Sequence, residues 1–186
     1  MANERLLMIF LRVFYLPYNR MRNCYYSIAL GTKKLRVGRS ISLRGTRNIM
    51  LGSNVSLGNQ TWIDAIGSGT ITIGNDVAFS QNVHIAAASQ IIIGDGCLIG
   101  SDVLITDHDH SFDIDMLSVY PKNRPLKVKG DTTLGRNVWL GDNVKILSGV
   151  TLGDNIVVAA NSVVTKSFPE NVVLAGNPAV VVKHLK

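Results

Sequence analysis

Leu134-Gly135-Arg136-Asn137-Val138-Trp139, Leu140-Gly141-Asp142-Asn143-Val144-Lys145 and Leu152-Gly153-Asp154-Asn155-Ile156-Val157 carry one pattern with a period of six. A helix repeats every 3.6 residues and a half-buried strand every two, so neither accounts for it. Outward from this stretch, aliphatic residues recur at Val37, Leu43 and Ile49, at Leu51, Leu57 and Ile63, at Ile73, Phe79 and Ile85, and at Ile93, Ile99 and Ile105. One unbroken run then takes Val128, Leu134, Leu140, Ile146, Leu152, Val158 and Val164. Four places after many of these stands a second small or β-branched side chain, as at Val55, Thr61, Val77, Val83, Cys97, Val103, Val138, Val144, Val150, Ile156 and Ser162. Two inward positions per six, separated by Gly, Asn and Asp that tolerate positive φ, describe very short strands joined by tight turns. No such strand buries its apolar side alone. Three of them wound into a triangular coil of about eighteen residues, stacked on the next coil, give a continuous aliphatic core with parallel hydrogen bonding.

The remaining composition fits that reading. A chain of 186 residues, 46% hydrophobic and 17% charged, is one domain rather than a disordered segment or a charged helical rod. With 6% aromatic residues its core is aliphatic. The net charge of +6 is unevenly placed: residues 1–50 hold ten of the 19 Lys and Arg against the single acid Glu4, a local +9, which leaves −3 for residues 51–186. That division points to an N-terminal segment meeting an anionic surface and argues against nucleic-acid binding by the body. Cys24 and Cys97 lie far apart without a CxxC pair, as in a reducing compartment. The apolar run 6–16, interrupted by Arg12, is shorter than the roughly 20 residues needed to cross a bilayer and lacks a signal-peptide cleavage site. We therefore expect residues 1–34 to be a basic, apolar helical segment, with two readings open: packing on the protein or a neighbouring subunit, or contact of residues 1–30 with a membrane interface. Residues 35–180 form the coil domain, with an excursion at 106–127, and 181–186 a C-terminal tail.

Function belongs where a repeat is interrupted. The largest interruption runs from Ile105 to Val128 and opens with Thr106-Asp107-His108-Asp109-His110-Ser111-Phe112-Asp113, two of the four histidines in the chain among several carboxylates. Three readings compete. In an extended stretch His108 and His110 point to one side, as two zinc ligands do, but a third ligand is not evident: His84 is distant in the repeat and His184 lies in the tail. The stretch also reads as a solvated loop. The favoured reading is a histidine general base whose tautomer a neighbouring carboxylate fixes, since a hydroxyl must lose its proton as it attacks a thioester carbonyl.

The hexads at 134, 140 and 152 resemble the hexapeptide repeat of left-handed β-helix acyltransferases. The likeness covers roughly residues 35–180 and extends to Ala175-Gly176-Asn177-Pro178-Ala179 at the exit from the last coil. It implies an all-β fold, a left-handed parallel β-helix with a short N-terminal helical segment and one long loop. It also implies an acetyl-CoA-dependent O-acetyltransferase. Ile105-Thr106-Asp107-His108 is similar to the catalytic-histidine motif of galactoside, maltose and polysaccharide acetyltransferases, which favours His108 over His110 as base; Asp107 and Asp109 both remain open as its orienting acid. Asn82 stands loosely where similar enzymes use an oxyanion Asn, and reads equally as a turn residue. By the same resemblance Trp139 lies beside the active site, Gly141 and Ala160 meet the pantetheine arm, and Thr165, Lys166 and Lys183 lie near the nucleotide and phosphates of CoA. Two departures bear on those contacts: Ala159-Ala160-Asn161 stands where relatives often have Gly-Ala-Gly, and Ser167 where an acid is usual. The resemblance implies a homotrimer with sites between subunits and no metal. The acceptor is expected to be a sugar hydroxyl of a surface polysaccharide or its lipid-linked precursor, handled in the cytoplasm or peripherally on the inner face of the cytoplasmic membrane. The alternatives are a zinc carbonic anhydrase of the same coil type and a non-catalytic β-helix binding module.

Overall fold

The protein is described from a computed structural model covering residues 5–186, apart from the side chains of Met8, Leu11 and Arg12. Residues 1–4, part of the expected membrane-facing segment, lie outside the described residues.

The six-residue period folds into three parallel sheets that are the faces of a prism. The first face stacks Arg36–Val37, Ser56–Leu57, Ala78–Phe79, Leu98–Ile99, Trp139–Leu140, Val157–Val158 and Val172–Gly176, one strand per coil. The second stacks Ser42–Arg44, Trp62–Ala65, His84–Ala87, Leu104–Thr106, Lys145–Ile146 and Val163–Val164. The third stacks Ile49–Leu51, Thr70–Ile73, Gln90–Ile93, Thr132–Leu134 and Thr151–Leu152. Apart from Val172–Gly176 the strands have two to four residues, which suffices because within the stack each bonds to the coil above and the coil below.

Inside the prism the aliphatic position of each hexad meets the small or β-branched one. Ile63, Ile85, Ile105, Leu140 and Ile146 are wholly buried, and so are Val55, Val77, Val83, Val144 and Val150. Thr61 and Ser162 occupy the same inward position with their hydroxyls satisfied: Thr61 Oγ1 donates to the Gly58 carbonyl at 2.8 Å, and Ser162 Oγ accepts the Gly176 N–H at 3.1 Å. The corners explain the Asn content. Asn82, Asn137, Asn143, Asn155, Asn161 and Asn171 all have φ between 55° and 61°, a region Asn enters at small cost. Their amides then bond from coil to coil, as in Asn137 to Asn155 at 2.8 Å and Asn155 to Asn171 at 2.9 Å. Glycine is required where coils touch: a Cβ on Gly94 would lie 2.6 Å from the backbone of Gly135 in the next coil.

Both ends of the prism are closed. The helix Leu6–Ala29 (α1) covers the first coil: the Asn23 carboxamide oxygen accepts the Val37 N–H at 3.0 Å, the Arg22 guanidinium donates to the Val37 carbonyl at 2.6 Å, and Tyr26 and Leu30 pack on the core. At the other end the expected tail is instead a strand, Ala179–His184, folded back antiparallel on Val172–Gly176. One repeat position is corrected. Val128 is 40% exposed and belongs to Leu126–Val128, which pairs antiparallel with His108–His110. Its six-residue spacing from Leu134 is a coincidence of sequence; the excursion leaves the second face after Thr106 and rejoins the coil at Thr132 as a hairpin arm.

Candidate active site

Asp107 is the first residue past the second face in the fourth coil, and its side chain is fully buried. Burying a carboxylate is costly unless its oxygens are bonded. Here Oδ1 accepts the Ala88 N–H at 2.8 Å and Oδ2 the Ser89 N–H at 2.7 Å, both from the same corner one coil below. From the coil above, the Ser148 hydroxyl donates to the Asp107 carbonyl, while Thr132 Oγ1 donates to the Thr106 carbonyl at 3.0 Å. Charge-assisted bonds to backbone amides leave this side chain no second position.

His108 follows, with Nδ1 2.9 Å from Asp107 Oδ1. An ionised carboxylate only accepts, so Nδ1 carries the hydrogen and Nε2 keeps its lone pair. Thr106 Oγ1 stands 3.3 Å from the same Nδ1. The His108 side chain is held at Nδ1 and retains 11% exposure, so part of it still reaches the surface. Of the two acids left open by the sequence, Asp107 meets the ring; Asp109 forms an ion pair with Lys129 at 2.8 Å, and His110 Nδ1 lies 3.4 Å from the Arg124 carbonyl.

His84, distant from His108 along the chain, is near it in space. It lies on the outer side of the second face one coil below, in register with Leu104, and stacks on Trp62 with ring centroids 4.1 Å apart. Burial pushes its imidazole below the ordinary histidine range; the Asp64 carboxylate opposes that shift, and the nearby His108 adds to it. Among the described residues no three His, Cys, Asp or Glu side chains converge as a metal site.

The other expected site residues fall on two edges. Trp139, Gly141 and Ala160 line one groove of about 380 Å³ with Val157, Val158 and Ala159, where the first face turns toward the second. Asn82 lies on that same edge, and its amide donates to Asp102 at 2.6 Å. Along the chain the strand His84–Ala87 stands between it and the edge that His108 occupies. Thr165 and Lys166 follow Val163–Val164 and so stand, exposed, on the edge that His108 occupies two coils below; Lys166 Nζ lies 5.6 Å over the Phe168 ring. Lys183 is exposed on the last strand, opposite Val173. The sequence reading missed Ala88, Ser89 and Ser148, which act through two amides and one hydroxyl. Backbone amides leave no residue signature, and only the coil register brings them to Asp107.

These features make a candidate site on a β-solenoid, a clamped carboxylate–imidazole pair at an interrupted corner. Comparison with known proteins gives the family. Residues 131–166 match the family described as bacterial transferase hexapeptide (six repeats), and residues 90–105 match the hexapeptide repeat of succinyl-transferase. The chain is 39% identical to the Escherichia coli (strain K12) protein named "Putative lipopolysaccharide biosynthesis O-acetyl transferase WbbJ", over 76% of this chain and 74% of that one. It is 34% identical to the galactoside O-acetyltransferase of the same organism, over 70% and 64%. The crystal structure of the hexapeptide-repeat containing acetyltransferase VCA0836 of Vibrio cholerae O1 biovar eltor, complexed with acetyl coenzyme A, superposes with a TM-score of 0.57 at 27% identity, covering 83% and 70% of the two chains. AntD, an N-acyltransferase from Bacillus cereus, shares the fold with a TM-score of 0.73 at 21% identity, covering 83% and 82%. The chain belongs to the hexapeptide-repeat acyltransferases, the left-handed parallel β-helix enzymes.

Proposed function

We propose that this acyltransferase moves acetyl from acetyl-CoA to a hydroxyl of a sugar, in a surface polysaccharide or its lipid-linked precursor, with His108 as general base. The observation that carries the reading is the Asp107–His108 pair, in which a wholly buried, doubly amide-bonded carboxylate engages Nδ1 and leaves Nε2 as the nitrogen to accept a proton. The acceptor hydroxyl gives its proton to Nε2 as its oxygen bonds to the acetyl carbonyl carbon. The carbon–sulfur bond then breaks, and the proton passes from the imidazolium to the CoA thiolate. The groove of Trp139, Gly141 and Ala160 has an apolar lining suited to the pantetheine arm, and Thr165, Lys166 and Lys183 supply polar and cationic groups for the nucleotide end. The groove and His108 occupy different edges of one prism, so a complete site takes its base from one copy and its donor groove from the next, as in a homotrimer. Exposed Phe112, Ile114, Leu117 and Tyr120 on the arm, and Leu98 and Trp139 on the first face, are the apolar surface such an assembly would cover.

The O-acetyltransferase names of WbbJ and of the galactoside enzyme support the sugar acceptor. Support for a membrane-side acceptor comes from α1, which exposes Phe10, Phe14, Tyr18, Met21 and Tyr25 within the +9 segment. No helix among the described residues is long and apolar enough to cross a membrane. The test is thiol release from acetyl-CoA against a panel of sugars, lipid-linked saccharides and polysaccharides. For an acceptor that turns over, His108→Ala lowers kcat by about 10²–10⁴-fold with acetyl-CoA binding retained; an unchanged rate overturns the base assignment.

A further inference from the structure

The outer side of the second face holds a line of residues below His108 that the transfer step does not use. Parallel pairing puts Thr106 beside Ala86, Ala86 beside Asp64, and Asp64 beside Arg44, one coil apart each time. In the neighbouring column Trp62 pairs with His84 and His84 with Leu104. Odd positions of these strands, such as Ile63 and Ile85, fill the core, so Arg44, Trp62, Asp64, His84 and Ala86 all lie on the outer side.

Each has a character unlike the structural positions around it. Trp62 is 39% exposed, yet its ring is fixed, stacked on His84 at 4.1 Å and 13° on one side and under the Arg44 guanidinium at 5.7 Å. Arg44 is exposed, and among the described residues it makes no ion pair, although Asp64 is its strand neighbour. Arg47, in the turn Thr46–Asn48, adds a second exposed cation after it. Ala86, between Asp64 and Thr106, has the smallest side chain of its column and is buried, so the exposed part of the strip is Arg44 and Trp62 with the half-buried Asp64 and His84 beside them. Three inter-strand steps separate Arg44 from Thr106, about 14 Å, comparable to the length of a hexose carrying one or two phosphates.

Resting on the acetyl-transfer reading above, we propose that this strip is the acceptor site and that it selects a glycosyl phosphate or diphosphate. The hydroxyl to be acetylated lies at His108 Nε2, and the sugar ring lies against the half-buried Asp64 and His84, which bond its other hydroxyls. The phosphate reaches Arg44. Asp64 offers acceptor oxygens suited to sugar hydroxyls, and a neutral His84 both donates and accepts there. The Trp62 ring touches both groups, stacked on His84 and within 5.7 Å of the Arg44 guanidinium.

The test compares matched probes with purified full-length protein: the methyl glycoside, the 1-phosphate, the UDP-linked form and the undecaprenyl diphosphate-linked form of galactose, glucose and N-acetylglucosamine. For an accepted sugar, kcat/KM is expected to be about tenfold or more higher for the phosphorylated forms than for the methyl glycoside, the size of a charge-assisted contact. In Arg44→Gln and Arg44→Glu that preference collapses to about twofold or less, by a rise in acceptor KM, with the KM for acetyl-CoA unchanged; Arg44→Lys restores part of it. Comparing the UDP-linked with the lipid-linked form identifies which source of the phosphate is used. A wild-type enzyme that prefers the methyl glycoside, or a preference that survives both Arg44 variants in protein with the wild-type melting temperature, overturns the proposal while leaving acetyl transfer intact. Failure of every form of every sugar overturns the acetyl-transfer reading and this one with it.

Discussion

The same corner of the prism is turned in two ways in successive coils. In the fifth coil the chain passes from Ile146 through Leu147-Ser148-Gly149 to Val150 and straight into the third face, with Ile146 and Val150 both wholly buried. In the fourth coil it leaves at Asp107 and returns at Thr132, and the residue that departs first is a buried acid rather than an aliphatic. The regular corner is held by side-chain packing. The interrupted one is held by polar bonds from its neighbours: Ala88 and Ser89 below, and Ser148 above, which also accepts the Lys129 N–H at 3.0 Å. A stack of near-identical coils therefore supplies rigid donors on both sides of one irregular turn, and that turn aims an imidazole outward.

Mutations that separate the two corners should separate stability from chemistry. Ile146→Ala in the regular coil should cost about 2–5 kcal/mol of stability by denaturant titration, with kcat near wild type while the protein is folded. Ser148→Ala, which removes the hydroxyl joining the corners, should cost about 1–3 kcal/mol and lower kcat as well, because the Asp107 carbonyl loses its partner. Equal effects of the two changes on kcat would erase the distinction. The smallest effect concerns pH. Because burial lowers the His84 pKa, the folded protein binds its proton less readily than the unfolded chain. The stability His84 contributes is complete above the ordinary value of 6.5 and declines as pH falls through the lower folded value. Melting temperature should thus fall more between pH 7.5 and 5 in the wild type than in His84→Gln, and parallel curves would contradict it.

Much of the coil was legible in the sequence because its physics is periodic. Both inward positions of the hexad are buried nearly throughout, and even the polar exceptions Thr61 and Ser162 keep to the pattern. Where the pattern misled, composition imitated periodicity: Val128 has the right residue type and spacing but belongs to the arm. His108 and its two candidate acids were also legible as a local cluster. Which acid meets the ring was not, since that depends on the amides of Ala88 and Ser89 and on the ion pair that takes Asp109 away. Nor was the proximity of His84 to His108 visible, because insertions give the coils unequal lengths and only the strand register places the two residues on one face. Asn82 was read from sequence both as an oxyanion donor and as a turn residue; its φ of 55° and its bond to Asp102 give it the turn conformation.

The proposed role of His108 as a base depends on one buried carboxylate, Asp107, and not on Asp109 two residues on. It is tested most directly by the acetyl-transfer rates of Asp107→Asn and Asp109→Asn, measured on the same acceptor. Asp107→Asn keeps the shape but loses the charge that holds the Nδ1–H tautomer, and its kcat should fall by about 10²-fold or more. Asp109→Asn loses only a partly exposed ion pair to Lys129 and should stay within about threefold of wild type. Equal losses, or a larger loss in Asp109→Asn, would contradict the account.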